Sequence, residues 1–298
     1  MIERYLLRYF LAVVDNGNFS RAAQQMNVAQ PTLSVGISKL ESRLGVSLFE
    51  RSSRRISLTP AGTRLLEHAR RIERDFNLAE REVLESRKEP RFRFGVLTTI
   101  SSRLIADALA RALAHDPHSK VELLEGNERE IVNLLSRGRI DAALTLVHRG
   151  SGRFQEMPLF EEGYSVAMPA VHRAAEQAVV SAEDLGDNVM IVRRSCEVLS
   201  DVSRHFLDRG IRPSFGFKSK NDDRVLQLIS AGLGITVVPE RSTHDGVVLK
   251  PLSGFEMRRT VGFALGEKTH MSQVEQAAIG QSLMSLSERV LSKEPGLR

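Results

Sequence analysis

The sequence predicts an α/β protein made of an N-terminal winged helix-turn-helix, a long linker helix and a C-terminal domain of two α/β lobes. Three observations support this fold class. Two short helical patterns meet at a tight turn near residue 27. After residue 60, a narrow apolar stripe runs along one side of a highly charged helix. Two series of alternating strands and helices then begin near residue 91. We therefore divide the chain into residues 1–60, 61–89 and 90–298.

The predicted helix-turn-helix occupies residues 18–39. We expect Ser20 to cap its first helix and Pro31 to lie in the first turn of its second helix. Asn27 can leave the helical conformation between them. The outward face of the second helix carries short side chains that can approach base edges, so this helix is predicted to read DNA. From this pattern alone, a small helical hairpin remains the alternative.

A short hairpin with a basic tip is predicted after the second helix. Phe49 and Ile56 lie on its strands, and Arg51, Arg54 and Arg55 surround a tip that suits a phosphate backbone or a minor groove. Residues 1–60 contain eight basic and four acidic residues, so they hold +4 of the formal net charge of +5. The candidate DNA contacts are Ser20, Arg21, Gln30, Pro31, Thr32, Ser34, Val35, Ser38, Lys39, Arg51, Arg54 and Arg55.

Residues 3–65 resemble the DNA-binding domain of the LysR-type transcriptional regulators, through FLAVVDNGNFSRAAQQMNVAQPTLS, ISKLESRLGVSLFER and LTPAG. This resemblance implies sequence-specific binding to double-stranded promoter DNA by a homodimer or homotetramer, with RNA polymerase as a further candidate partner. Val35 and Gly36 depart from the polar or charged residues that many relatives carry there, which removes candidate base contacts.

A long helix is predicted to start at Thr59-Pro60, to continue to about Lys88 and to end before Pro90. Its apolar residues alternate spacings of four and three along an otherwise charged helix, and this pattern predicts dimerisation. Packing of the helix on its own domain is the alternative. We call this set the heptad seam: Leu65, Ala69, Ile72, Phe76, Ala79 and Val83.

The rest of the chain is predicted to form a parallel sheet with helical crossovers, and a closing helix near its end. The strands are expected in RFRFGVLT, KVELLEG, IDAALTLV, EEGYSVAMPA, DNVMIVRR, SFGFKS and ITVVPE. The element order resembles the effector-binding half of LysR-type regulators, a fold shared with periplasmic binding proteins. Crossings between lobes are placed near 161–164 and 262–267, so lobe one spans about 91–162 and 267–298 and lobe two about 163–266.

Ligands in open α/β sheets lie beyond the carboxyl ends of the strands, beside helix N-termini. The resemblance implies a small-molecule effector at this place, and an arginine at a helix start would suit an anion such as a carboxylate. The hydroxyls could instead be helix caps, and Arg193 or Arg194 could equally face solvent. The candidate effector residues are Thr98, Thr99, Ser101, Ser102, Thr145, Arg193, Ser195 and Cys196.

Parts of the sequence also suit three other functions. Cys196 is the one cysteine and is predicted at a helix N-terminus beside two arginines, which would lower its thiol pKa and suit redox sensing; a structural or ligand-lining thiol is the alternative. A solute-binding protein or an enzyme built on the two lobes is the rival to a regulator. Nucleophile-elbow, zinc-protease and Walker patterns are lacking, so we predict no enzyme activity, metal or cofactor.

Composition is that of a globular protein, with 42% hydrophobic and 27% charged residues. The apolar run at the N-terminus is interrupted by Arg8 and Asp15 and is expected to form the first helix rather than a signal peptide. Apolar runs of the roughly 20 residues needed to span a bilayer are lacking. A single cysteine suits a reducing compartment. We therefore predict a cytoplasmic protein without a membrane partner.

Overall fold

The computed structural model describes residues 2–51, 56–85, 91–148 and 152–291. These residues divide into two compact units. The first unit is Met1–Pro90 with Val132–Arg139, and the second is Arg91–Ile131 with Ile140–Arg298. The predicted α/β fold class, with its winged helix-turn-helix, linker helix and two lobes, is confirmed.

Three helices form the core of the first unit: α1 (Arg4–Asn16), α2 (Phe19–Gln25) and α3 (Gln30–Leu44). Asn27 has a φ of 54°, so it leaves the helical conformation between α2 and α3 as predicted. The predicted cap was wrong, because Asn18 rather than Ser20 caps α2. Asn18 has extended backbone, and its side-chain oxygen accepts hydrogen bonds from the N–H groups of Ser20 and Arg21.

Gly36 explains how closely α1 and α3 approach each other. It is buried in α3, and a Cβ at this position would lie 2.6 Å from the ring of Tyr9 on α1. A methyl group there would force the tyrosine to move. The glycine that departs from the sequence pattern therefore has a packing role.

The wing consists of β1 (Phe49–Arg51) and β2 (Ile56–Leu58), paired antiparallel. The ring of Phe49 lies 5.3 Å from that of Phe10 and 5.9 Å from that of Phe19, measured between centroids. These contacts attach the hairpin to the helix-turn-helix core. Arg54, Arg55 and the side chain of Arg51 lie outside the described residues.

The linker helix α4 (Pro60–Glu85) begins as predicted, since the N–H of Gly62 donates to the hydroxyl of Thr59 at 3.0 Å. Beyond residue 69 the heptad seam is largely uncovered within the chain. Ile72, Phe76 and Val83 are 38%, 47% and 72% exposed. A different face of α4 is buried, where Glu73 accepts a hydrogen bond from Arg4 at 2.8 Å.

The second unit contains the two lobes. Its strands are β3 (Phe92–Leu97), β4 (Val121–Gly126), β5 (Ala142–Leu146), β6 (Gln155–Glu162), β7 (Tyr164–Pro169), β8 (Val189–Arg193), β9 (Ser214–Ser219), β10 (Thr236–Pro239), β11 (Val247–Pro251) and β12 (Arg259–Leu265). Its helices are α5 (Ser102–His115), α6 (Glu128–Ser136, whose end from Val132 clusters with the first unit), α7 (Ala182–Leu185), α8 (Leu199–Leu207), α9 (Asp222–Ser230), α10 (Met271–Gln276) and α11 (Ala278–Leu291).

Lobe one contains a five-stranded sheet of order β4-β3-β5-β12-β6. Because β12 belongs to this sheet, the second crossing between lobes lies before Arg259 and not near 262–267. The alternating residues Val261, Phe263 and Leu265 of β12 are buried in the core of lobe one. The closing helix is also interrupted, because Ala277 is extended between α10 and α11.

In lobe two, β10-β7-β11 form one sheet and β8 pairs with β9 in parallel. A bridge between Met190 and Ile235 connects the two sheets. The helices α8 and α9 belong to two different apolar clusters of lobe two. Val202 and Phe206 of α8 pack in the cluster that contains Met190, and Val225 and Ile229 of α9 pack in the cluster that contains Ile191. The strands β6, β11 and β12 and the short helix α7 were not predicted.

Candidate functional site

The outward face of α3 is open to a partner. Gln30, Pro31, Thr32, Ser38 and Lys39 are exposed, and Ser34 is half-buried. Val35 is 68% exposed. On α2, Ser20 and Arg21 are also exposed, and the inward residues Leu33, Ile37 and Leu40 are buried. The α3 face is therefore available for an intermolecular contact.

Most of the positive charge on this face is balanced locally. Lys39 donates to the hydroxyl of Tyr5 at 3.0 Å and to Glu3 at 3.3 Å, and these hydrogen bonds raise the pKa of Lys39. Glu3 also forms an ion pair with Arg43. The remaining exposed side chains of α3 between Gln30 and Ser38 are neutral. They suit hydrogen bonding and apolar contact better than charge attraction.

A cavity of about 100 Å³ lies between the two lobes, and we call it the cleft pocket. It contains the predicted residues Thr98, Thr99, Ser101 and Ser102 of lobe one. The hydroxyl of Ser102 donates across the cleft to Asp223 of lobe two at 2.7 Å. Its other lining residues are Ile100, Arg103, Glu125, Asn221, Asp222, Leu226, Ser242 and Thr243.

Two features of the cleft pocket concern the ligand it could take. The hydroxyl oxygen of Thr98 is buried and has no hydrogen-bond partner within the described chain. Glu125 and Asp223 bring carboxylates to the pocket from opposite lobes. Partial burial, followed by the negative charges of Asp223 and Asp222, raises the pKa of Glu125. These carboxylates outnumber Arg103, the cation of the described lining, so the pocket disfavours additional negative charge.

Arg193 neither lines the cleft pocket nor faces solvent, so both predicted placements were wrong. Its side chain is 1% exposed, and its Nε donates to Asp222 at 3.0 Å. A terminal nitrogen donates to the carbonyl of Val237 at 2.9 Å. A buried guanidinium needs this pairing because an unpaired charge would be costly. Arg194 is the exposed residue of the two, and Thr145 is buried within β5 away from the cleft pocket.

Ser195 and Cys196 do not lie at a helix N-terminus, because α8 begins only at Leu199. The hydroxyl of Ser195 donates to the carbonyl of Lys220 at 3.4 Å. Burial raises the pKa of the Cys196 thiol, and the opposing charge of Arg193 does not reverse this effect. The predicted lowering of this pKa was wrong. Neither residue lines the cleft pocket.

A buried ionic network at the crossings between lobes was not predicted. Arg259, at the start of β12, is 1% exposed and donates to Glu162, at the end of β6, at 2.7 and 2.8 Å. It also donates to the hydroxyl and carbonyl of Thr99, at 2.8 and 2.9 Å, and forms an ion pair with Glu197. We call Arg259, Glu162, Glu197 and Thr99 the hinge network.

Protonation states in this network are fixed by the pairing. Burial alone would raise the pKa of Glu197, but the charge of Arg259 and hydrogen bonds from Arg259 and Tyr164 outweigh it and lower the pKa. The phenol of Tyr164 donates to Glu197 at 2.9 Å, and burial and then the charge of Glu197 raise the pKa of Tyr164. Glu197 is therefore ionised and Tyr164 neutral at pH 7.

The described residues form neither a metal site nor a membrane-spanning helix. Groups of three or more His, Cys, Asp or Glu side chains that could hold a metal ion do not occur in residues 2–51, 56–85, 91–148 and 152–291. Within those same ranges, helices with the length and apolar character to cross a membrane are lacking.

Comparison with known protein families gives two matches. Residues 5–63 match the family model of the bacterial regulatory helix-turn-helix protein, lysR family. Residues 85–284 match the model of the LysR substrate binding domain. Together the two models span most of the chain.

Two relatives from Escherichia coli K12 match over most of their length. The chain is 29% identical to the DNA-binding transcriptional dual regulator OxyR, over 86% of this chain and 87% of that protein. It is 31% identical to the HTH-type transcriptional regulator XapR, over 83% of this chain and 86% of that protein.

Solved structures share the fold. HinK, a LysR family transcriptional regulator from Pseudomonas aeruginosa, superposes with a TM-score of 0.56 at 24% identity, over 97% of this chain and all of that one. Full-length BenM superposes with a TM-score of 0.53 at 24% identity, over 99% and 100% of the two chains.

We predict that Arg259→Met destabilises the protein by about 3–5 kcal/mol, because it removes the buried guanidinium that pairs with both Glu162 and Glu197. The contacts that remain are a 3.9 Å ion pair from Arg241 to Glu162 and the hydrogen bond from Tyr164 to Glu197. The neighbouring Arg258→Met is the control. Arg258 is 53% exposed and pairs with the exposed Glu161, so its loss should change stability by less than about 0.5 kcal/mol. Urea denaturation followed by circular dichroism measures both. Equal midpoints for the two variants would show that the hinge network adds no stability.

Proposed function

Because this chain belongs to the LysR family of bacterial transcriptional regulators, we propose that it reads promoter DNA through the outward face of α3 and responds to a small polar effector in the cleft pocket. The observation that carries this proposal is the division of α3 into a buried face and a fully accessible face. An accessible, mostly neutral helix face suits contact with base edges in a major groove.

Individual residues of α3 have distinct roles in this proposal. Gln30 opens the helix, and its amide can donate to and accept from an adenine edge. Val35 is 68% exposed and suits the methyl group of a thymine. Arg21 on α2, with the wing arginines Arg51, Arg54 and Arg55, would bind phosphates and supply affinity without sequence preference. Ser20, Pro31, Thr32, Ser34, Ser38 and Lys39 complete the proposed surface.

The effector is proposed to be neutral or cationic rather than anionic. The argument for an anion depended on Arg193, and that guanidinium is already paired with Asp222. The cleft pocket instead contains Glu125 and Asp223, with threonine and serine hydroxyls around them. Such a lining suits an amine or a molecule rich in hydroxyl groups.

The chain is proposed to act as a homodimer through the exposed part of the heptad seam. Ile72, Phe76 and Val83 form an apolar stripe with exposed fractions of 38%, 47% and 72%, and the guanidinium of Arg4 lies 4.4 Å from the centre of the Phe76 ring. An identical helix would cover this stripe by coiled-coil packing. We place the protein in the cytoplasm, where promoter DNA lies, with RNA polymerase as a further partner and without enzymatic activity.

Redox sensing through Cys196 is the less favoured function. Relatives of this chain include the hydrogen peroxide-inducible genes activator of Dickeya chrysanthemi, at 29% identity over 86% of this chain. A peroxide-reactive thiol needs a thiolate, whose content falls as the pKa rises. The raised pKa of Cys196 and the lack of a second cysteine both oppose this role.

We predict that Arg21→Ala lowers affinity for specific and random DNA alike and reduces the salt dependence of log K by about 0.9 per lost phosphate contact. Gln30→Ala should instead weaken specific binding alone, by about 1–3 kcal/mol. Sites selected from a random library supply the specific DNA for gel-shift titrations. Arg111→Ala, which removes an exposed charge on α5, is the control and should bind as the parent does. Equal discrimination by the parent and Gln30→Ala would exclude a reading role for this residue.

We predict that Ile72→Glu dissociates the dimer, because it places a carboxylate in an apolar interface without a partner. Thr63→Glu adds the same charge to an exposed position of α4 outside the heptad seam, and it should leave the dimer intact. Light scattering coupled to gel filtration measures the mass of both. A dimer of unchanged mass for Ile72→Glu would show that the chains associate through another surface.

We predict that amines or polyols, and not dicarboxylates, raise the melting temperature of the full chain by binding in the cleft pocket. Putrescine, spermidine, ribose and succinate are suitable probes. Asp223→Asn should remove the response to the amines, and Asp107→Asn, an exposed change on α5, should retain it. Stabilisation by succinate that increases in Asp223→Asn would contradict the proposed charge preference.

A further inference from the structure

Lobe two contains a second cavity, of about 300 Å³, which we call the apolar pocket. It lies between α8 and the strands β8 and β9, with walls that include Met190, Val192, Val202, Phe206 and Phe215. It shares no lining residue with the cleft pocket. Because its walls come from lobe two alone, it is a separate site and not an extension of the cleft.

The size of this cavity argues against a simple packing defect. Close-packed interiors contain few voids larger than a water molecule, and about 10–15 Å³ on the same scale holds one water. The apolar pocket is at the small end of the range of about 300–1,000 Å³ that ligand sites occupy. It is also open at one side, where Leu207 and Phe215 are 55% and 60% exposed. A one-ring or two-ring molecule could enter there.

The polar groups around the apolar pocket define the charge of its ligand. Arg193 is already paired with Asp222, and the hydroxyl of Thr236 donates to the carbonyl of Ile191 at 2.7 Å. The thiol of Cys196, the hydroxyl of Ser203 on α8 and the exposed Arg212 before β9 remain. The side chains of Ser203 and Arg212 form no hydrogen bond or ion pair with a described residue. The described lining contains no carboxylate. A guanidinium at the mouth of an apolar cavity is complementary to a carboxylate with an apolar body.

We infer that the apolar pocket is a second ligand site, which binds a small aromatic monocarboxylate with its ring between α8 and β8 and its carboxylate at Arg212. This site takes a ligand of opposite character to the one proposed for the cleft pocket. One ion pair connects the two sites, because Arg193 lines the apolar pocket and donates to Asp222, which lines the cleft pocket.

The experiment uses the full chain with 1-naphthoate as the probe and 1-naphthamide as its uncharged counterpart. Isothermal titration calorimetry should give saturable binding of one naphthoate per chain. The acid should bind about tenfold more tightly than the amide, because a hydrogen bond between the guanidinium of Arg212 and a carboxylate is stronger than one to a neutral amide. Absence of saturable binding at millimolar naphthoate would overturn the inference.

Variants locate the binding site. Ser203→Phe places a ring in the cavity and should weaken naphthoate binding at least tenfold, and Ser203→Leu provides a smaller filling residue if the first variant melts early. Arg212→Gln should abolish the preference for the acid over the amide. Arg204→Gln, on the exposed side of α8 and outside the cavity, is the matched control and should bind as the parent does. Binding that ignores both Ser203 changes would place the probe elsewhere and refute the site.

Light scattering separates this inference from a rival occupant. If a second copy of the chain covers the pocket, Ser203→Phe should lower the mass of the assembly while the parent fails to bind naphthoate. That result would overturn the ligand site. An unchanged mass, together with naphthoate binding that Ser203→Phe removes, supports it.

Discussion

The arrangement of the two lobes depends on the pairing of one buried arginine. Arg259 joins Glu162 at the first crossing to Glu197 in lobe two and Thr99 in lobe one. Removing three charges from water costs free energy, and the mutual pairing of Arg259 with both carboxylates offsets that cost. Because ionic hydrogen bonds are directional, these contacts restrict the geometry of the crossings.

The need of buried charges for partners also underlies the ligands proposed for the two pockets. Asp222 neutralises Arg193, and Glu162 and Glu197 neutralise Arg259, so neither buried guanidinium is free for a ligand in the cleft. The charged groups that remain in the cleft pocket are Arg103, Glu125 and Asp223. On the other side of β8, apolar residues surround a cavity with Arg212 at its mouth. The opposite ligand preferences proposed for the two pockets thus depend on which guanidinium is already paired with a carboxylate of the chain.

Local patterns in the sequence predicted the helices and most strands, because apolar spacing reports which face is buried. The edge strand β6 was missed because Pro158 in its middle and the glutamates near both of its ends obscure a strand pattern, yet an edge position tolerates proline. Four candidate effector residues did reach the cleft pocket. The hinge network could not be predicted, because Arg259 is 160, 97 and 62 residues from its three partners.

The crossing of α1 and α3 has a practical consequence for protein engineering. Gly36 must remain small because of Tyr9, whereas Gln30, Val35 and Ser38 point outward and contribute little to the core. A combinatorial library aimed at new operator sequences can therefore randomise the outward positions while holding residue 36 constant. Such a library would test many DNA-facing side chains, and most of its members should still fold. The position that packing constrains and the positions that can be changed lie on opposite sides of one helix.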